Sequence, residues 1–389
     1  MDNIYVIGSG LFGSVLAERI ASQLNLRVIV IEKRNHIGGN CFTFTDKDTG
    51  INCHKYGSHI FHTSNQEVIE YVSQFMKLNH YRHQVFTRHN GKIYQMPINL
   101  STINKFFNKQ LNPCECKIFL SNLIAHQKVS EPQNFEEQAI SLIGSELYKA
   151  FIRGYTLKQW QRDPKDLPAY IIKRLPFRTN YCADYFLDYF QGIPTEGYTP
   201  FFQRLLDNPL IEVRLNTDFN STSLDLSKAS LIIYTGSPDE LFNYCFGKLE
   251  WRTLDFSWEV KNCSDFQGCA VLNEADEDIP YTRTHEFKHY HPENNKSFES
   301  GQTIICREFS REYEFGDIPY YPVDTITNRD RYSKYKHLAE GFNNLILGGR
   351  LGMYRYMDMD QTIASALHVF KQCKEILNKK LSTHAEINS

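Results

Sequence analysis

The sequence predicts an α/β protein in which a parallel-sheet domain carries a helical insertion domain and an antiparallel β-sheet domain. The first observation is a strand–helix–strand pattern over residues 4–31, where two short apolar runs flank an amphipathic helix. The second is helical spacing of apolar residues over most of residues 65–170. The third is the loss of that spacing over 189–330, where proline, glycine and alternating apolar residues indicate antiparallel strands. A chain of 389 residues is long enough for two or three such domains.

The first strand, loop and helix have the residue types of a dinucleotide-binding site. An apolar run at Ile4–Ile7 predicts a buried parallel strand, and Gly8, Gly10 and Gly13 follow it in G-x-G-x-x-G spacing. One glycine permits the tight turn, one lets backbone approach a pyrophosphate, and one lets the helix pack on the strand. The next strand ends on Glu32, an acid suited to ribose hydroxyls. A glycine-rich turn without a ligand is the alternative, but this context favours a Rossmann-type domain.

The residues after Glu32 favour FAD over NAD as the resident nucleotide. The segment KRNHIGGN contains Gly38 and Gly39, and a second glycine pair soon after the ribose acid is common in FAD proteins of the amine-oxidase-like type. Such a pair lets backbone pass close to the cofactor. An ordinary turn is the alternative for these two glycines.

Composition and charge exclude several function classes. The formal net charge is -2, so the chain lacks the electrostatic footprint of a nucleic-acid or membrane-surface protein. No apolar run approaches the roughly 18 residues that a membrane span needs. The first strand begins almost at once, which predicts no signal peptide, and the ten cysteines lack zinc-type spacing. We therefore expect free thiols and a cytoplasmic protein.

Three histidines, His54, His59 and His62, invite a metal interpretation. Their surroundings do not complete a coordination set, so the sequence predicts no metal site. Gly57, two residues before His59, instead suits a close approach of backbone to a flat cofactor ring.

Apolar spacing predicts helices at 66–75, 99–107 and 135–152, the last with an N-terminal cap at Asn134.

The segment after these helices is rich in groups that bind a nucleotide sugar. Tyr155 and Trp160 offer stacking faces, and Arg174 lies between two prolines that predict a loop with stiff ends and a cationic tip. We interpret residues 168–180 as a mobile loop. A surface loop with solvated charges is the alternative.

Two later segments are predicted to return to the nucleotide-binding sheet. Residues 231–233 precede Thr235 and Gly236, and residues 345–347 precede Gly348, Gly349 and Arg350. Asp358 then leads into a helix over 361–377, whose N-terminus suits the electron-rich pyrimidine edge of a flavin. We thus divide the chain into a discontinuous FAD-binding domain, a mainly helical domain and an antiparallel substrate domain. Their bounds are 1–64 with about 205–245 and 335–389; about 65–185; and about 186–204 with 246–334.

The assembled motifs resemble the bacterial UDP-galactopyranose mutase family. They run through most of the chain and are much more specific than the glycine fingerprint alone: GSGLFG, IEKRNHIGGN, HKYGSHIFHT, EEQAISLIG, GYTLKQW, LPAYIIKRLP, QGIP with GYT, PYTR, PYYPV and GGRLGMYRYMD.

The resemblance implies an isomerase that interconverts UDP-galactopyranose and UDP-galactofuranose without net oxidation, for cell-surface polysaccharide biosynthesis. It implies that only reduced FAD is active, and that its N5 attacks the anomeric carbon, expels UDP and forms a covalent sugar adduct that opens and recloses. A covalent route divides one difficult ring contraction into several accessible steps. It further implies a homodimer and an external reductant such as NAD(P)H.

The resemblance also implies roles for named residues. It assigns catalytic charge to Arg174 and Arg283, two guanidinium groups that would clamp the diphosphate. The implied substrate-binding residues are Phe151, Tyr155, Thr156, Trp160, Tyr185, Asn273, Tyr320, Tyr321 and Tyr356. The implied cofactor-binding residues are Gly8, Gly10, Leu11, Phe12, Gly13, Glu32, Lys33, Gly38, Gly39, Asn40, His59, Ile60, Thr235, Gly236, Arg350, Asp358 and Met359.

Four positions depart from the pattern expected of the family. Gln161 and Glu196 stand where glycine is usual, Ser58 where alanine is common, and Met357 interrupts an aromatic run. Because Ser58 lies near the expected flavin, the sugar preference stays open, and UDP-N-acetylgalactosamine is an alternative substrate. Two further alternatives are an amine-oxidase-like flavin oxidoreductase and a non-enzymatic nucleotide-sugar sensor.

Overall fold

The computed structural model describes residues 3–127, 131–174, 176–219 and 229–387. The description leaves out the side chains of Lys173, Arg174, Asn295 and all residues after 378. Its strands are β1 Ile4–Ile7, β2 Val28–Ile31, β3 Thr43–Thr45, β4 Asn52–His54, β5 Phe61–Thr63, β6 Val85–His89, β7 Lys92–Met96, β8 Phe190–Gly192, β9 Ile211–Arg214, β10 Leu231–Tyr234, β11 Trp251–Lys261, β12 Val271–Glu274, β13 Arg283–Glu286, β14 Thr303–Glu312, β15 Tyr321–Pro322 and β16 Leu345–Leu347. Its α-helices are α1 Leu11–Leu24, α2 Gln66–Val72, α3 Leu100–Phe107, α4 Pro113–Ala125, α5 Phe135–Leu147, α6 Gly154–Trp160, α7 Tyr198–Leu206, α8 Pro238–Leu241, α9 Asn295–Glu299, α10 Ile326–Glu340, α11 Gly349–Gly352 and α12 Met359–Ile387.

A five-stranded parallel sheet has the order β16-β10-β1-β2-β9. Ile4 of β1 lies in register with Val28 on one side and Leu231 on the other. The two predicted returning strands are confirmed, since β10 pairs with β1 and β16 pairs with β10. All four residues of β1, β2 and β10 are buried, which explains why these strands are continuous apolar runs without alternation.

Helices α1, α7 and α12 cover one face of this sheet. Apolar side chains spaced three and four apart on α1, including Val15, Leu16 and Ile20, are fully buried there. Ile363 and Leu367 of α12 join the same core. Helix α7 lies in a segment for which we predicted strands and turns, and its buried side chains pack into this core as well. The glycine loop between β1 and α1 is therefore held by a rigid layer.

The second sheet has seven strands in the order β15-β11-β14-β13-β12-β6-β7. Its long pair, β11 and β14, runs antiparallel from Arg252↔Glu312 to Lys261↔Thr303. The sheet also contains one parallel pair, β12 with β6. The β6–β7 hairpin lies inside the segment that we predicted as mainly helical. Its turn is Asn90-Gly91, with φ values of 48° and 72°, and this dipeptide between strand-like runs was the overlooked signal. The predicted domain boundaries stay a prediction.

The predicted helical segment otherwise forms helices. The expected cap is confirmed, since Asn134 accepts a hydrogen bond from the Glu137 amide. Asn99, which was predicted as part of a helix, also acts as a cap and accepts from the Thr102 amide. The predicted helix over 135–152 is α5 followed by a π-helical stretch at Tyr148–Arg153. This stretch is buried and leads directly into α6, so it sets the direction of the residues that follow.

No helix in the described part of the chain is both long enough and apolar enough to cross a membrane. All ten cysteines are free thiols.

Candidate active site

A cavity of about 1050 Å³ runs between the carboxyl ends of the parallel strands and the second sheet. Carboxyl ends of parallel strands are the usual ligand-binding edge of such sheets. Every residue that we predicted to bind cofactor or substrate lines this cavity, and so does Arg283. Arg174, the remaining predicted site residue, has a side chain outside the described set. Tertiary structure thus brings together residues from positions 8 to 359.

The glycine loop closes one end of the cavity with no room for side chains. Gly8 has a φ of +102°, and a Cβ there would lie 2.1 Å from Oγ1 of Thr235. A Cβ on Gly13 would lie 2.0 Å from the carbonyl oxygen of Gly8, so helix α1 could not approach strand β1 as it does. Gly39, with a φ of +56°, packs against the Cα of Gly10. Backbone therefore forms this wall, as the G-x-G-x-x-G spacing and the second glycine pair predicted.

Helix α1 directs its N-terminus at the cavity without a side-chain cap. Gly10 is the N-cap residue, and the first turn contains no acidic residue. The amide groups at the start of the helix and the positive end of its dipole therefore stay available for an anion. This arrangement is that of a pyrophosphate site.

Glu32 is held rigidly at the end of β2. One of its carboxylate oxygens accepts hydrogen bonds from the amide and the hydroxyl of Ser9, at 2.9 and 2.8 Å. The other accepts from the Arg34 amide at 2.9 Å. A carboxylate has about four acceptor positions, so one remains for a ribose hydroxyl.

Arg34 lines the cavity, and our sequence analysis passed over it. Its Nη2 donates to Oδ1 of Asn40 at 2.8 Å, and its guanidinium lies 4.4 Å from the centre of the Tyr56 ring. Its Nη1 is buried and lacks a hydrogen-bond partner among the described residues. Burying a charged donor without a partner is costly, so this atom indicates a ligand oxygen. The signal in the sequence was a basic residue between the ribose acid and the second glycine pair.

The middle of the cavity is formed by His59, Arg350 and the N-terminus of α12. Burial, together with the positive charge of Arg350 and Arg283, lowers the pKa of His59 to about 4, although a hydrogen bond to the Gly57 carbonyl opposes the shift. The ring is therefore neutral at pH 7, with its Nδ1–H donating to that carbonyl. Arg350 donates through Nη2 to the Tyr320 carbonyl, and its buried Nε is left without a partner in the described structure.

Helix α12 begins as predicted beside this part of the cavity. Asp358, Met359 and Thr362 line it. The Asp358 carbonyl accepts hydrogen bonds from the amide and hydroxyl of Thr362, both at 2.9 Å. Thr63 of β5 also donates to the side chain of Asp360 at 2.9 Å, which ties the helix start to the His59 segment.

Arg283, which is partly exposed, and the fully buried Glu308 form an ion pair at the other end. Nε and Nη2 of Arg283 each lie 3.0 Å from a different oxygen of Glu308. Burial alone would raise the pKa of Glu308, but Arg283 and His285 outweigh it and lower the pKa to about 2. Glu308 thereby occupies two of the five N–H groups of the Arg283 guanidinium. Only the N–H groups on the opposite edge of the guanidinium are left for the diphosphate that we expected it to clamp.

The predicted aromatic subsite is carried by the π-helical stretch and α6. Phe151, Tyr155, Thr156 and Trp160 come from these two consecutive segments and line the cavity. Burial raises the pKa of Tyr155, so its hydroxyl stays protonated.

Lys158 anchors this subsite to β12. Its Nζ donates to the carbonyls of Glu274 and Asp276, at 2.8 and 2.7 Å. Asn273 of β12 faces the subsite, and its buried Oδ1 has no partner in the described chain. That acceptor is suited to an N–H donor of a nucleobase.

The loop predicted to be mobile is described up to Arg174 and again from Pro176. Residues Ala169–Arg174 form a 3₁₀ stretch, and Tyr170 and Ile171 line the cavity. The ends of the loop are held, because Pro168 bridges to Asn134 and Phe177 bridges to Ile98. The Tyr170 hydroxyl donates to Asp324.

Several cavity residues were missed by our sequence analysis. Arg34 and Tyr56 stand inside quoted motifs but were given no role, and three further residues stand outside every quoted motif: His83, Phe186 and Glu308.

The departures from the family pattern have local explanations. Gln161 has a φ of 49°, a left-handed conformation that glycine adopts easily, and its side chain donates to the Ser310 carbonyl at 3.0 Å. Glu196 forms an exposed ion pair with Arg204. Met357 is buried and lines the cavity. The Ser58 hydroxyl is bonded to His285 and Tyr290.

Comparison with known proteins gives consistent matches over most of the chain. A family model described as UDP-galactopyranose mutase matches residues 150–356, and a model of NAD(P)-binding Rossmann-like domains matches residues 6–75. The chain is 42% identical over 366 residues to a probable UDP-galactopyranose mutase of Klebsiella pneumoniae, covering 94% of this chain and 93% of that one. It is 40% identical over 372 residues to a dTDP-fucopyranose mutase of Escherichia coli, covering 94% and 97%.

The fold has counterparts among solved structures. A crystal structure of reduced UDP-galactopyranose mutase superposes with a TM-score of 0.74 at 15% identity, covering 97% of this chain and 96% of that one. A protein proposed to be a protoporphyrinogen oxidase, from an Exiguobacterium species, superposes with a TM-score of 0.65 at 12% identity, covering 96% of this chain and 98% of that one. At these identities the likeness establishes the architecture alone.

Proposed function

The chain belongs to the UDP-galactopyranose mutase family, and we propose that it interconverts UDP-galactopyranose and UDP-galactofuranose with no net change in redox state. It is an isomerase whose cofactor is FAD. The observation that carries the proposed reaction is one continuous cavity, lined at one end by a dinucleotide-binding loop and at the other by stacking aromatics and Arg283.

The residues of the cavity fit FAD along its length. The open N-terminus of α1 would receive the pyrophosphate, and Glu32 would bind a ribose hydroxyl. The unpaired Nη1 of Arg34 would donate to an oxygen of the same cofactor. The segment around His59 and the start of α12 would flank the flavin ring, the helix offering its positive dipole end.

Reduced FAD supplies an electron-rich ring nitrogen as the nucleophile, while the protein supplies position and charge. Tyr155 and Trp160 would hold the nucleobase end of the substrate, with Asn273 accepting a hydrogen bond. Fixing the distant end of the substrate positions the sugar for reaction, because the entropy of alignment is lost on binding.

Arg283 would stabilise the diphosphate through the guanidinium edge that Glu308 leaves free. The paired carboxylate fixes the guanidinium plane, and positioned charge is effective where leaving-group charge develops. The Arg283–Glu308 pair is nearly neutral as a unit, so we assign the additional positive charge to Arg174. We propose that the 168–180 loop closes over bound substrate, brings Arg174 to the diphosphate and excludes water.

The cellular setting belongs to the same proposal. We infer a homodimer in the cytoplasm, reduced by an external donor such as NAD(P)H and feeding cell-surface polysaccharide synthesis. The support is family membership.

A second candidate substrate is dTDP-fucopyranose. The relative that carries this name is 40% identical and aligns with 94% of this chain, almost the same as the mutase named for UDP-galactopyranose. UDP-N-acetylgalactosamine stays a further alternative. Ser58, the departure that raised the question of sugar preference, directs its hydroxyl to His285 and Tyr290, so this group gives no preference for either galactose derivative.

The test is incubation of dithionite-reduced protein, under anaerobic conditions, with UDP-galactofuranose, dTDP-fucofuranose or the N-acetylated sugar. Products are separated by chromatography, and the ratio of kcat/KM values gives the substrate. We expect UDP-galactopyranose without consumption of reductant. Turnover that consumes reductant in proportion to product would support an oxidoreductase instead, and faster turnover of the dTDP sugar would support the second candidate.

The oxidised protein is the control. It should still bind UDP, since Tyr155 and Trp160 do not depend on flavin charge, but it should not isomerise the sugar. Sustained activity in air without any reductant would contradict the proposed role of reduced FAD.

A further inference from the structure

A continuous chain of buried hydrogen bonds joins the His59 segment to Arg283. Oγ of Ser58 lies 2.6 Å from Nδ1 of His285, and Nε2 of His285 lies 3.2 Å from Oε2 of Glu308. The hydroxyl of Tyr290 contacts Oγ of Ser58. Tyr290, His285 and Glu308 are fully buried, so water does not compete for these bonds.

If His285 is neutral, the donors and acceptors of this chain fit one arrangement of protons. Glu308 is ionised beside Arg283 and can only accept, so Nε2 of His285 carries a proton. In the neutral ring Nδ1 is then an acceptor, and the Ser58 hydroxyl must donate to it. The oxygen of Ser58 is left to accept from Tyr290, so every member is satisfied.

The groups that face His285 support a neutral ring. Burial lowers its pKa, and the positive charge of Arg283 acts in the same direction, while Glu308 opposes both. The Tyr290 hydroxyl stays protonated because burial raises its pKa. His54 and His83 also lie near His285, and burial lowers the pKa of both, so neither adds charge. Cys306, opposite His285 on β14, is a neutral thiol because burial raises its pKa.

Backbone packing connects the same two regions. Gly57 has a φ of +88°, and a Cβ at this position would lie 3.6 Å from Oε2 of Glu308. Its carbonyl accepts from Nδ1 of His59 at 2.8 Å. The segment that faces the expected flavin therefore lies close to the carboxylate that orients Arg283, with the Phe256 ring beside it.

We propose that His285 is a positioning residue: it holds the Gly57–His59 segment through Ser58 and the Arg283 guanidinium through Glu308. The cofactor end and the diphosphate end of the site thereby keep a fixed distance and orientation relative to each other. His285 itself does not line the cavity. The inference rests on the proposed function only for the role of Arg283; the hydrogen-bond arrangement stands without it.

Two substitutions of His285 each remove one of its two hydrogen bonds and keep the other. In His285→Gln the side-chain amide can replace the Nε2–H donor to Glu308, and only the bond to Ser58 is lost. In His285→Asn the shorter amide can replace Nδ1 towards Ser58, but it cannot reach Glu308. His289→Gln is the matched control, because His289 lies on the same segment, is ion-paired to Asp265 and Glu286, and does not line the cavity.

We expect His285→Asn to lower kcat by about a hundredfold, the effect of a misplaced catalytic group. His285→Gln should lose about tenfold or less, as for one neutral hydrogen bond. The dissociation constant of UDP on the oxidised protein, which needs no turnover, should rise in His285→Asn more than in His285→Gln. The control should match the wild type. Equal losses in both His285 variants, with equal falls in melting temperature, would mean a packing role only and would overturn the proposal.

Nuclear magnetic resonance of the wild-type histidine ring nitrogens gives an independent test. We expect the signal of His285, assigned in the wild type by through-bond connection to its own backbone, to show a neutral ring protonated on Nε2 at pH 7. An Nδ1–H ring or an imidazolium would overturn the proposal even if both variants fail to fold. If the wild type turns over none of the offered sugars, the proposed function fails, while the ring spectrum and UDP binding still decide the positioning role.

Discussion

The guanidinium of Arg283 and the carboxylate of Glu308 meet at two points across neighbouring strands, each contact 3.0 Å long. The pair exists because β13 and β14 align Arg283 directly opposite Glu308. The carboxylate is fully buried, and about a quarter of the Arg283 side chain is exposed towards the cavity. A buried carboxylate thus fixes a cation that is open to substrate on one side only.

This pair predicts an acid-sensitive contribution to stability. The pKa of Glu308 is about 2 in the folded protein, compared with an ordinary value of 4.5. As the pH falls, the unfolded chain is protonated first, so the contribution is complete above about pH 4.5 and is lost as the pH approaches about 2. Glu308→Gln should remove this dependence and cost about 3 kcal/mol at pH 7, since Arg283 loses its partner.

The measurement is the free energy of unfolding in urea for the wild type and Glu308→Gln between pH 3 and pH 7. The difference between the two proteins should shrink as the pH is lowered. A difference that stays constant over this range would mean that Glu308 is not ionised in the folded protein.

Arg174→Ala is expected to damage turnover much more than cofactor binding. The loop cation would meet the diphosphate as the leaving group gains charge, so its removal should lower kcat about a hundredfold. Arg174→Lys should recover only part of the loss, because an ammonium group keeps the charge without the planar fork. Arg283→Ala should be at least as severe, since its strand position cannot be taken over by loop movement. Kinetics are measured on reduced protein with flavin content determined in parallel.

Lys165→Ala is the control for this loop, because Lys165 is largely exposed near its start. Near-normal turnover of Arg174→Ala with full FAD content would show that the 168–180 loop is a solvated surface feature and not an active-site lid.

Arg34→Ala should weaken FAD binding. The buried Nη1 of Arg34 has no partner among the described residues, so we expect it to donate to the cofactor. A hydrogen bond from a charged group is worth about 1.5–3 kcal/mol, which corresponds to roughly a tenfold to hundredfold rise in the dissociation constant. Titration of apoprotein with FAD, followed by flavin fluorescence, measures it. Arg27→Ala is the control, since Arg27 is exposed at the other end of the same strand region. Equal FAD affinities for the two variants would exclude this role of Arg34.

The left-handed conformation of Gln161 predicts an order of stabilities. An alanine at this position keeps the left-handed strain and loses the hydrogen bond to Ser310, whereas a glycine relieves the strain. Gln161→Gly should therefore be more stable than Gln161→Ala by about 1 kcal/mol. Urea unfolding of both variants measures the difference. Equal stabilities would indicate that residue 161 is not left-handed in solution.

The sequence predicted those parts of the site that local chemistry requires. Gly8, Gly13 and Glu32 lie within one strand–helix–strand unit, where steric contact and helix geometry demand these residue types. The cap at Asn134 was predictable for the same reason, because a cap acts within its own helix turn. The Asn90-Gly91 turn was equally local and was overlooked, so the β6–β7 hairpin was assigned to a helical segment.

The sequence by itself determined the cofactor loop, the returning strands and the aromatic segment, since each is encoded by residues close together in the chain. Only the tertiary structure decided which side chain Arg283 would pair with, and that Ser58 would contact a histidine 227 positions away. Glu308 lies in an ordinary strand pattern with no motif around it. Its role depends on the register of two strands and on burial, and neither of these can be predicted from the local spacing of residues.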